Sequence, residues 1–122
     1  MTPAERLARL PGFWRPHMVY DLGDPNGPTF CPASIEDAGN ALQEHGWRPR
    51  LTEPATVGCL AAWAREVCGD PLLYTEFSGG WWSIRTARGV GGYVIDRERR
   101  IIARTTEGDA WAAAIIAKLE AA

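Results

Sequence analysis

Four helix-start signals, set in a chain otherwise punctuated by glycine and proline, constrain the fold more than any other feature of the sequence. Thr2-Pro3-Ala4-Glu5 has the form of a capping box with proline at the first helical position. Ser34-Ile35-Glu36-Asp37 sets a capping hydroxyl before two carboxylates, which the positive first turn of a helix stabilises. Thr52-Glu53-Pro54 opens a third segment, and Thr106, followed by Glu107 and Asp109, opens a fourth. Pro11-Gly12, Gly46 and Gly69 close the first three. Between the third helix and the fourth the period changes: residues 72–77, 81–86, 93–95 and 101–105 read as strands. The order is helix, loop, two helices, four strands, helix. It predicts an α+β domain with a three- to four-stranded antiparallel meander covered by helices. With 122 residues the whole span, 1–122, fits one domain with a real core and no need of metal or disulfide staples.

Local chemistry fills in the connections. Ser78-Gly79-Gly80 joins two strands as a hairpin. Asp96-Arg97-Glu98-Arg99 has no glycine for a two-residue primed turn, so a longer loop on a type I turn is expected. Residues 89–92 read as a flexible connection. Residues 17–20 form a brief strand, and 21–33, with Pro25, Pro28 and Pro32, a loop. Residues 47–51 are extended, with Pro49 unsuited to a central strand. The expected core faces are Ile35, Ala38, Ala41, Leu42 and His45; then Val57, Leu60, Ala61, Ala64, Val67 and Cys68; then Trp111, Ala114, Ile115 and Leu119. Trp82, Ile84 and Thr86 alternate with Trp81, Ser83 and Arg85, so one set faces the core and the other faces out.

Several function classes lose support at this stage. No 18-residue apolar run is present, and Glu5 and Arg6 interrupt any signal peptide, so neither a membrane partner nor secretion is expected. Three cysteines are an odd number for a disulfide framework, which points to a cytoplasmic protein. Cys59 and Cys68 stand on opposite sides of one helix, and His17, Cys31 and His45 lack zinc spacing, so no metal and no cofactor are expected. The glycines at 88–92 precede a strand rather than a helix, unlike a phosphate loop. Cys31, ahead of a helix, could pair with His17 or His45 as nucleophile and base; the alternative is a small apolar loop residue.

Charge and aromatic content point elsewhere. Twelve of 13 basic residues are arginine, and there are six tryptophans, both types enriched at binding hot spots. Residues 85–104 carry six arginines against Asp96 and Glu98, 6 − 2 = +4; the remainder, 7 basic and 13 acidic, is −6. The expected partner-binding residues are Trp81, Trp82, Arg85, Arg88, Arg97, Arg99, Arg100 and Arg104, against a protein or protein–nucleic-acid complex with an acidic surface. Direct binding of nucleic acid through stacked bases is the alternative, opposed by the net charge of −2 and by Glu107 and Asp109 at the last helix start. A plain solvated arginine face is the third option.

Pro28-Thr29-Phe30-Cys31-Pro32-Ala33-Ser34-Ile35-Glu36-Asp37-Ala38, with Leu42 and Gly46-Trp47, resembles a segment of small phage and prophage proteins, the phage ABA-sandwich family. Gly12-Phe13-Trp14, residues 55–66 and an alanine-rich last helix extend the likeness. Cys31 stands where that family has Ser or Thr, and Ala33 where it has Asp. The resemblance implies a layered α/β fold and a phage origin, and carries over no catalytic residue. The expectation is a non-enzymatic accessory protein that binds a host macromolecule in the host cytoplasm, as an inhibitor of a defence system such as a CRISPR effector does. A nucleic-acid module built on the Trp/Arg strands, a cysteine-dependent enzyme built on Cys31, and a homodimer are the further options.

Overall fold

The computed structural model describes residues 1–10, 13–88 and 92–120. The expected stop at Pro11-Gly12 and the connection at 89–91 lie outside them. The protein is built around its last helix. Thr106 caps that helix by accepting the Asp109 N–H at 3.1 Å, and Ala, Ile and Trp then fill nearly every side of it. A helix apolar all round must be surrounded. Ala110, Trp111, Ala112, Ala114, Ile115 and Ile116 are all buried. We number the helices α1 (Pro3–Ala8), α2 (Ile35–His45), α3 (Pro54–Val67) and α4 (Glu107–Leu119). α1 and α3 pack on α4, and a sheet covers it from another side. Gly108 lets the first turn of α4 approach the Leu51 carbonyl so closely that a Cβ there would overlap it.

The sheet consists of β4 (Leu73–Ser78), β5 (Trp81–Thr86), β6 (Gly92–Tyr93) and β7 (Ala103–Arg104), all antiparallel. β4 pairs with β5 over its full length around Gly79 and Gly80, both at positive φ (61° and 84°), as a two-residue primed turn requires. The expected meander is corrected at its far edge. β6 pairs with the end of β5 (Arg85↔Tyr93) and β7 with its start (Trp82↔Arg104), so the two share one side of β5. Between them the chain leaves the sheet as a hairpin closed by Ile95↔Ile101. Its turn holds Arg99 N–H on the Asp96 carbonyl at 3.1 Å and Asp96 N–H on the Arg100 carbonyl at 2.8 Å, with Arg99 left-handed at φ 64°. That is the three-residue loop pattern, with arginine where glycine is usual.

The brief strand expected at 17–20 and the extended stretch expected at 47–51 belong to a second sheet, whose third strand lies in the proline-rich stretch. β1 (Tyr20–Asp21) lies between β2 (Thr29–Phe30) and β3 (Arg48–Pro49), so the expected loop at 21–33 contains strand residues at both ends. Pro49 sits on an edge strand, as its missing N–H demands. Fully buried Thr56 ties this sheet to α3: its hydroxyl accepts from Val19 N–H at 2.9 Å and donates to the Val19 carbonyl at 3.2 Å. α2 departs from its expected face. Of the five residues only Ala38 is buried, while Ile35 and His45 are exposed. Among the described residues no helix is long and apolar enough to cross a membrane.

Candidate binding surface

Residues directly opposed in an antiparallel sheet share a face, so the register sorts every side chain. Thr75, Ile84, Trp82 and Thr86 face the helices, and Ile84 and Ile102 are wholly buried there. Tyr74, Arg85 and Tyr93 form one row across the other face; Glu76, Ser83 and Ala103 form the next, and Ser78 and Trp81 a third. Ile95 and Ile101 continue that face onto the hairpin. Ser83 in the middle row of that face is buried, and exposed side chains stand around it. Trp81 is 51% exposed and Ile101 50%, with Tyr74, Tyr93 and Ile95 close behind. Isolated exposed hydrophobics are ordinary, but five large ones on one sheet face form a patch.

The charges on this face cancel. Arg85 Nη1 donates to Glu76 Oε2 at 3.0 Å, and its guanidinium lies 4.6 Å from the Tyr93 ring centroid. A cation stacked on an aromatic ring and paired with a carboxylate is spoken for.

The eight expected binding residues do not form one patch. Trp81 and Arg85 are on the open face. Trp82 is corrected to the helix-facing side, half-buried with its ring 5.1 Å from Phe77. Arg88, beyond the end of β5, lies 3.7 Å from Asp70. Arg97, Arg100 and Arg104 line a cleft of about 290 Å³ with Arg6, Asp96, Glu98 and Glu120, between the hairpin and helices α1 and α4. Arg99 occupies the strained turn position. In the cleft Arg6 grips Glu120 with two hydrogen bonds of 2.7 and 3.1 Å, which hold that carboxyl below its usual range. Asp96 is likewise lowered, first by the Arg100 N–H and further by nearby guanidiniums. Arg97 donates to the Ala117 carbonyl at 3.3 Å, at the end of α4. Much of the hairpin's basic charge is thus engaged within the chain, which composition alone does not reveal. Tyr74, Ile95 and Ile101 were missed because the sequence cannot say which face the helices leave bare.

A shallow groove of about 530 Å³ brings Cys31, Asp37 and His45 together beside Phe30 and Trp47. Among the described residues no hydrogen bond joins Cys31 to His45, whose Nε2 lies 3.8 Å from Glu44. His17 is not part of this groove. All three cysteines are free, and burial pushes the Cys59 and Cys68 thiols up, away from the reactive range. Among the described residues no three His, Cys, Asp or Glu side chains are grouped to hold a metal. No family model, no curated protein and no solved structure matches this chain.

Proposed function

We propose that the protein acts by binding another protein through the open face of its four-stranded sheet. The observation that carries this reading is the row and flank of Tyr74, Trp81, Tyr93, Ile95 and Ile101, all exposed on one face. Aromatic side chains on a rigid sheet supply contact area at low entropic cost. The neutral Arg85–Glu76 pair at its centre favours a protein over a phosphate backbone, which requires uncompensated cations. The likeness to small phage proteins supports an accessory role: docking on a host machine, such as a defence nuclease, and blocking it.

Wild type and a Trp81→Ala/Tyr93→Ala variant are used side by side as bait in host extract. A protein held by the wild type and lost by the variant, with the thermal midpoint unchanged, supports the reading. Identical proteins on both baits end it. Single-stranded oligonucleotides bound in a salt-dependent way would favour the nucleic-acid alternative instead. The groove with Cys31 and His45 supports a second reading, a cysteine-dependent activity. Its test is alkylation: a Cys31 thiol no faster than the same thiol in the unfolded chain removes that option.

A further inference from the structure

The cleft between the hairpin and helices α1 and α4 lies on the other side of the sheet from the open face. Arg104 opposes Trp82, so it is on the helix-facing side, and it is half-buried there. A charge partly withdrawn from water ordinarily gains a counter-charge. Among the described residues Arg104 forms no ion pair. Its guanidinium makes one hydrogen bond, from Nη1 to the Ala103 carbonyl at 2.9 Å. A guanidinium carries five N–H donors, so most of this one's capacity is unused.

The carboxylates of the cleft are committed elsewhere. Glu120 takes two hydrogen bonds from Arg6, at 2.7 and 3.1 Å. Asp96 accepts the Arg100 N–H at 2.9 Å and lies 3.7 Å from the Arg100 guanidinium, which also lies 3.7 Å from Glu98. Arg97 gives Nε to the Ala117 carbonyl and, among the described residues, pairs with no carboxylate. Arg97 acts on Glu120, and Arg104 on Asp96, only through space. The described lining thus carries four guanidiniums and three carboxylates, 4 − 3 = +1, and the surplus sits on Arg97 and Arg104. The rest of the wall is aliphatic: Pro3 of α1, and Ala113 and Ile116 of α4. At about 290 Å³ the space is more than a bare inorganic ion fills and at the small end of ligand sites.

We propose that this cleft binds a small aliphatic monocarboxylate, its carboxylate on Arg104 and Arg97 and its carbon chain against Pro3, Ala113 and Ile116. The planar guanidinium fork matches the two oxygens of a carboxylate. One negative charge completes the balance of the site. A dianion would overshoot it beside three carboxylates, and a neutral amide would leave Arg104 without a counter-charge. The aliphatic wall rewards a carbon chain that a bare oxyanion lacks. The site is separate from the open face and does not depend on what binds there.

The test is a titration of the ¹⁵N-labelled full chain at constant ionic strength, followed at the Arg97 and Arg104 Nε–H signals. The probes are butyrate, acetate, butyramide and sulfate. Butyrate should give saturable shifts. Acetate, two methylenes shorter, should bind roughly tenfold more weakly. Butyramide and sulfate should each bind at least about tenfold more weakly as well. Arg104→Gln should weaken butyrate by about tenfold or more, for a lost charge-assisted bond. Trp81→Ala should leave butyrate binding unchanged, which separates this site from the open face. The absence of a saturable shift with butyrate would overturn the proposal. So would butyramide or sulfate binding as tightly as butyrate, acetate matching butyrate, or an Arg104→Gln variant that binds like wild type. If Arg104→Gln fails to fold, Arg97→Gln, at an exposed position, takes its place with the same expected loss.

Discussion

The two faces of β5 share a backbone and differ in everything else. On one, Ile84 is sealed under α4 and Thr86 donates its hydroxyl to Asp70 at 2.6 Å. On the other, Trp81 stands half in water and Arg85, next to Ile84 in the chain, leans on Tyr93. Strand propensity cannot distinguish Trp81 from Trp82, since both are good strand residues in adjacent positions. Cover distinguishes them. Where helices lie, apolar area stabilises the chain; where they do not, the same kind of area contributes little to folding and is available to a partner.

The largest effect expected from this contrast is on Ile84. Ile84→Ala should cost about 2–5 kcal/mol in denaturant unfolding. Trp81→Ala should change stability by no more than about 0.5 kcal/mol. If the order were reversed, the distinction between the faces would collapse.

The cover itself can be lifted. Gly108→Ala forces a methyl against the Leu51 carbonyl, and the overpacked first turn of α4 should lose about 1–3 kcal/mol. An unchanged unfolding midpoint would mean that α4 is seated less closely than the backbone approach requires. In the other direction, Arg99→Gly relieves a left-handed arginine and should raise stability by roughly 1 kcal/mol after the extra freedom of unfolded glycine is subtracted. A loss of stability there would show that the Arg99 side chain makes up for its backbone.

The smallest effect concerns acid. The Thr86 hydroxyl, then the Leu72 N–H, then Arg88 hold the Asp70 carboxyl below its ordinary value. A lowered folded pKa stabilises above the unfolded value and is lost as pH falls through the folded one. Stability should therefore fall on acidification below the ordinary carboxylate range, and less so in Thr86→Val. Carboxyl NMR titration of Asp70 in that variant should move up; an unmoved titration would assign the shift to other groups.

Much of this architecture was legible because it is locally encoded. Thr2, Ser34 and Thr106 all accept the N–H three residues on, at 3.2, 3.1 and 3.1 Å. Gly46 ends α2 in the left-handed conformation that its position announced. The alternation of Trp81, Ser83 and Arg85 against Trp82, Ile84 and Thr86 was readable too. The small sheet was legible only in part: the brief strand read at 17–20 runs into β1 and the extended 47–51 contains β3, but β2 and the pairing were not, since strands of two residues have no period to detect and are fixed by long-range partners such as Thr56 on Val19. Nor was the exposure of Ile35: a periodic helix face says that cover is wanted, not that cover exists. The scattering of the arginines has the same origin, because sequence proximity between Arg85 and Arg104 carries no information about which side of a sheet each one reaches.

The position of α4 has a consequence for how the molecule comes together. The element that fills the centre is the last one synthesised of those described, and Glu120 at its end is bonded to Arg6 near the beginning. Everything earlier must wait for it. A nascent chain stopped before residue 107 carries Leu60, Trp63, Ile84 and Ile102 with no helix to receive them, and closing the loop from α1 to α4 spans nearly all the residues between. Folding should therefore be a single late event, completed after α4 clears the ribosome, and until then the future interior is the most adhesive surface the chain has.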